Sequence, residues 1–148
     1  MTTKVTSESV KQLVNHYAEA ITENYRRYHI NTLNRNLHGN YPEYAREQLD
    51  AIENGTANLM KFKVYSGKKY YKIVQQEFET WEKSRNYGKY ADGSVHCFVD
   101  KETGDVYKAA SWRSPAKHIR FSFQNEADLR FLLNPDNVDW AGGYLYLR

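Results

Sequence analysis

From Ser7 to about Tyr28 the apolar residues fall at Val10, Leu13, Val14, Tyr17, Ala18, Ile21, Tyr25 and Tyr28, the spacing of one helix face. Thr6 or Ser7 can cap the start. Glu8 lies in the first turn and Arg26 and Arg27 in the last, where their charges suit the two ends of the helix dipole. Val10, Tyr17 and Asn24 alternate with Val14, Ile21 and Tyr28 in a heptad-like way. The stripe therefore either packs on its own domain or, through Val10, Val14, Tyr17, Ile21 and Tyr28, forms a seam between subunits. Residues Ile30 to Asn40 are rich in Asn and lack periodicity, which predicts a loop. Pro42 then opens a second helix with Ala45, Leu49 and Ile52 on its apolar face, and Asn54-Gly55 stops it.

After Ala57 the period shortens to two. Met60, Phe62 and Val64 alternate with Lys61, Lys63 and Tyr65, and Tyr70 to Gln75 resumes the pattern across Ser66-Gly67-Lys68-Lys69, which predicts a hairpin. Glu77 to Asp92 fits a short helix or an irregular loop, and the pattern does not choose between them. Ser94 to Val99 and Asp105 to Ala110 form a second hairpin around a polar turn that places Gly104 where a positive φ is needed. Ala116 to Phe123 alternates as a further strand. Asn125 caps a helix of about two turns from Glu126 to Leu133, and Gly142-Gly143 releases a terminal strand, Tyr144 to Leu147. The whole predicts one α+β domain of 148 residues, helical over residues 1–57 and mainly β over residues 58–148. Its sheet is antiparallel, built from hairpins, with one short late helix.

Composition sharpens this picture in two places. Tyrosine occurs 13 times against 6 phenylalanines and 3 tryptophans, which favours half-buried sites and interfaces because a buried phenol needs a polar partner. The net charge of +3 is unevenly spread: residues 60–90 carry 8 basic and 3 acidic side chains, whereas residues 125–148 carry 2 and 4. Positive charge thus concentrates where the strands begin. No stretch approaches a membrane span, and the N-terminus lacks the apolar core of a signal peptide, so a soluble protein that is not secreted is expected.

Candidate chemistry is sparse. No nucleophile elbow, phosphate-cradling glycine loop or paired-cysteine zinc spacing is present, and no cofactor or metal is expected. His96 beside Cys97 suggests a base and a nucleophile, but neighbours on a strand face opposite ways, so the pair shares a site only if a bulge intervenes. Cys97, between Val95 and Val99, reads most simply as core. Asp100, Asp105 and Lys108 match a metal-dependent nuclease poorly, because the carboxylate and the amine stand three apart on a strand. The stronger candidate is a binding surface. Trp112, Arg113, Lys117 and Arg120 interleave cations with rings, and Lys68, Lys69 and Lys72 add a positive strip from the first hairpin, the composition of a platform for single-stranded nucleic acid. Each of these residues also has an ordinary role open to it, in a solvated turn or as a core anchor.

The stretch from Gly93 through Val99, Gly104 and Tyr107 to Trp112, followed by Ser114-Pro115-Ala116-Lys117 and by Trp140 to Leu147, resembles a family of small proteins of marine tailed bacteriophages, including cyanophages. The resemblance covers about the last 60 residues and extends to the first hairpin at Lys68 to Val74. It implies a phage origin and a setting in the infected host cell or the virion, and it brings no catalytic residues. Together these readings predict a non-enzymatic accessory protein that acts by self-association and by binding a host or phage protein. Nucleic-acid binding is the first alternative and a phage enzyme the second.

Overall fold

The computed structural model describes residues 6–146. Helix α1 runs over Ser7–Asn36 and is capped by Thr6, whose Oγ1 accepts the Ser9 N–H at 3.3 Å. It continues past Tyr28 through the Asn-rich stretch expected to be loop. Leu33, fully enclosed, anchors that extension beside a second helix, and Thr32 returns its hydroxyl to the Tyr28 carbonyl. Tertiary burial there outweighs poor local propensity. Helix α2 spans Pro42–Glu53 with Pro42 in its first turn. It ends at Gly55 (φ 75°), where the Thr56 N–H returns to Ala51 O at 2.8 Å.

Five antiparallel strands follow as a simple meander: β1 Lys61–Ser66, β2 Tyr70–Phe78, β3 Tyr90–Asp100, β4 Asp105–Lys108 and β5 Phe121–Ser122. The stretch from Glu77 to Asp92, open between helix and loop, is neither throughout: its two ends extend β2 and β3, pairing Glu77 with Ala91 and Phe78 with Tyr90. Only two residues of the strand expected over Ala116 to Phe123 are strand. Pro115 lacks an N–H to pair, and His118 takes a positive φ of 73°, so the chain turns before it joins β4. Helix α3, Glu126–Leu132, is capped by Asn125 as its sequence predicts. Among the described residues the expected terminal strand does not form. Gly142 goes left-handed (φ 86°) and starts a 3-10 turn, Gly143–Leu145, that drives Leu145 into the core, while Leu147 lies outside the described residues.

α1 lies across one face of the sheet. Val10, Val14, Tyr17 and Ile21 are completely buried there against Phe62, Ile73, Val99 and Val106, so the helical and β regions share one core. That corrects the subunit-seam expectation. Four of its five residues are consumed within the chain, and only Tyr28, 48% exposed, still faces solvent. Asn24 is no seam residue either. Its amide holds the C-terminal segment, donating to Pro135 O and accepting the Trp140 N–H, both at 2.9 Å.

Candidate nucleic-acid interface

With α1 on one face, the other face of the sheet carries the side chains that alternation turns away from the core. Strand register sets Tyr65 opposite Lys72, Lys72 opposite Phe98 and Phe98 opposite Tyr107, one row across four strands. Tyr70 stands edge-on to Phe98 and Tyr107, with ring centroids 5.8 and 6.0 Å apart. The loop after β4 brings Trp112 over this row. Its ring lies 4.1 Å from the Lys72 ammonium, close enough for a cation–π contact, and 45% of the residue stays exposed.

A groove of about 500 Å³ runs between that loop and the β1–β2 turn. It gathers five of the seven cationic and aromatic candidates, Lys68, Lys69, Lys72, Trp112 and Arg113, together with Tyr65 and Asp92. The other two lie elsewhere. Lys117 is exposed outside the groove lining, and Arg120 is spent on structure, its guanidinium donating to the carbonyls of Leu145, Lys117 and His118 at 2.6–2.7 Å. Asp92 is the acid among the bases. Its Oδ1 accepts from Gln76 at 2.7 Å and the Tyr65 hydroxyl reaches both its oxygens, at 2.8 and 2.9 Å. The Gln76 hydrogen bond, helped by Tyr65 and by the charges of Lys63 and Lys72, holds this carboxyl below its ordinary range, so it is ionised at neutral pH. Sequence reasoning missed Asp92, Tyr65 and Phe98 because only strand register brings them beside Trp112.

A second polar cluster lies at the edge of the core, with Tyr17 and Cys97 buried and His96 and Tyr144 half-buried. Between the pairs Ile73–Cys97 and Val74–Val95 the register slips, and His96 is the extra residue of a β-bulge. The bulge turns His96 inward beside Cys97, which meets the condition that plain alternation denies. His96 Nε2 lies 2.7 Å from the Tyr144 hydroxyl, which lies 2.6 Å from that of Tyr17, and Tyr17 in turn contacts the Cys97 thiol. The Trp140 backbone also meets the ring and favours its charged form. Tyr17 donates to Tyr144, and Tyr144 in turn to His96. Burial pushes the His96 imidazole down to about 4 and the Cys97 thiol up to about 12, so both are neutral at pH 7. A neutral thiol beside a neutral imidazole is no nucleophile pair. Cys97 is therefore expected to resist a thiol reagent in the native protein at pH 8 and to react at once in 6 M guanidinium. Rapid labelling of native protein would contradict this burial.

The acids of the second hairpin are likewise in structural use. Asp100 Oδ1 accepts the N–H groups of Glu102 and Thr103, and Asp105 accepts the Thr103 hydroxyl. Among the described residues no three His, Cys, Asp or Glu side chains gather to hold a metal, and no helix is long and apolar enough to cross a membrane.

Sequence comparison matches residues 2–147 to the Family of unknown function (DUF7717). The chain belongs to that family. No curated protein and no solved structure matches it. The family carries no assigned activity, so a functional reading rests on the chemistry of the groove.

Proposed function

We propose that this protein binds single-stranded nucleic acid, without catalysis, on the open face of its sheet. The observation that carries the reading is the Lys72 ammonium 4.1 Å over the half-exposed Trp112 ring, in a groove bordered by Lys68, Lys69 and Arg113. A flat ring offers a stacking surface to any base, and cations around it neutralise the neighbouring phosphates, so binding needs no sequence readout. The resemblance to tailed-phage proteins supports placing this activity in an infected cell or a virion.

Anisotropy of a labelled single-stranded oligonucleotide, titrated at 50 and 200 mM salt, tests the proposal. Trp112→Ala is expected to weaken binding about tenfold, the loss of one stacked base. Replacing Lys69 and Arg113 together by Ala is expected to flatten the logarithmic salt slope by about 1.4, the share of two phosphates on a single strand. Absence of binding at 50 mM salt would overturn the reading.

A protein-binding reading has its own foothold. Tyr41 and Tyr44, 75% and 58% exposed, sit at the connection of α1 to α2 and do not line the groove. Self-association through them would replace the buried α1 stripe as the contact. Light scattering that shows a dimer lost in the Tyr41→Ala, Tyr44→Ala double variant would support it, and a strict monomer would remove it.

A further inference from the structure

Resting on the nucleic-acid reading, we infer that Asp92 makes the groove prefer a guanine base over a thymine or uracil. A carboxylate in a groove of lysines opposes phosphate binding, so its place there calls for a ligand with donors to offer it. Asp92 is exposed at the groove, it is ionised, and its geometry is fixed by the largely buried Gln76 and by Tyr65. Among the described residues Oδ2 accepts only the Tyr65 hydroxyl, and that bond is shared with Oδ1. Ionised carboxyl oxygens have room for about four hydrogen bonds, so capacity remains on the exposed side.

Guanine carries two adjacent donors, N1–H and the N2 amino group, spaced to meet the two oxygens of one carboxylate. Cytosine and adenine offer a single amino group beside an acceptor nitrogen. Thymine and uracil offer one N3–H between two carbonyl oxygens, which a carboxylate repels. The groove thus combines three elements of a guanine site: Trp112 to stack on the ring, Asp92 to accept from its Watson–Crick edge, and Lys68, Lys69 and Arg113 for its phosphates. A paired contact of this kind discriminates by about tenfold.

The test uses labelled eight-residue thymidine oligonucleotides in which one central thymidine is kept or replaced by guanosine, adenosine or cytidine. The intact protein is titrated with each at 100 mM salt. Guanosine is expected to tighten binding about tenfold over the all-thymidine strand. In Asp92→Asn the advantage is expected to vanish while the all-thymidine strand binds as well or better. The amide oxygen of that variant still accepts from Gln76 and Tyr65, and Asp92→Ala serves as a second variant of the same prediction. Equal affinity for all four strands, with binding still dependent on Lys69 and Arg113, would overturn the guanine preference and leave the nucleic-acid reading intact. A preference that survives Asp92→Asn would overturn it too. Failure of every strand to bind would overturn both.

Discussion

Between pH 6.5 and pH 4 the protein is expected to lose about 3 kcal/mol of stability through His96. Unfolding releases the ring to its ordinary value of 6.5, whereas burial holds it near 4 in the folded chain. Below pH 6.5 the unfolded state binds a proton that the folded state refuses, so stability falls as the pH falls and the loss levels off near pH 4. Several groups face the ring. The Asp139 carboxylate and the Trp140 backbone favour the charged form but count for less than burial; Tyr144 meets Nε2, the Phe62 ring stands edge-on at 5.4 Å, and Lys108 lines the same pocket. A proton on Nε2 would also end its role as acceptor for Tyr144, and the donation that begins at Tyr17 would lose its terminus. Urea midpoints at pH 7.0, 5.5 and 4.5 follow the effect, most of which falls in this window. Asp92 adds a loss of the same sign, but its lowered value places that loss at more acid pH. A midpoint that is constant over the three pH values, or a His96→Gln variant that keeps the full slope, would refute the assignment.

Where the side-chain period was strong, sequence and structure agree: the start of α1, α2 with its Gly55 stop, both hairpins and the capped α3 all follow from local patterns. The departures share one physical origin, a distant contact that overrides a local preference. One buried leucine, Leu33, carries α1 through an Asn-rich stretch, and Leu145 trades a strand for a core position. The groove was legible to the extent that its cations and its tryptophan belong to two hairpins that the pattern already supplied. Arg120 was misplaced because composition cannot distinguish a guanidinium that is free from one that binds three carbonyls. His96 needed a bulge, a one-residue slip between β2 and β3 that leaves no local signature beyond the His-Cys pair itself. Asp92 needed the register. Residues that become neighbours only across strands are invisible to any reading that proceeds along the chain.

Gly104→Ala is expected to destabilise the fold by about 3 kcal/mol, and Gly55→Ala by only about 1 kcal/mol, although both glycines have φ of 75°. The left-handed backbone charges either alanine about 1 kcal/mol or somewhat more. The surroundings then separate them. A Cβ at Gly55 meets nothing within 4 Å, whereas one at Gly104 would stand 2.8 Å from the Phe123 Cβ and 3.2 Å from its ring. Phe123 cannot easily retreat: it is 1% exposed, its ring packs edge-on against Tyr17, and its N–H is bonded to the Gly104 carbonyl at 2.9 Å. Relief of the overlap has to come from core side chains or from the turn, and overpacking of this kind costs about 1–3 kcal/mol. The turn matters beyond stability, because it sets the β3–β4 register that places Phe98 opposite Tyr107 under the groove. Gly104→Ala is therefore expected to weaken oligonucleotide binding as well, while Gly55→Ala leaves it unchanged. Urea midpoints and oligonucleotide titrations of the two variants measure both effects, and equal destabilisation by the two would show that the Phe123 contact relaxes at no cost.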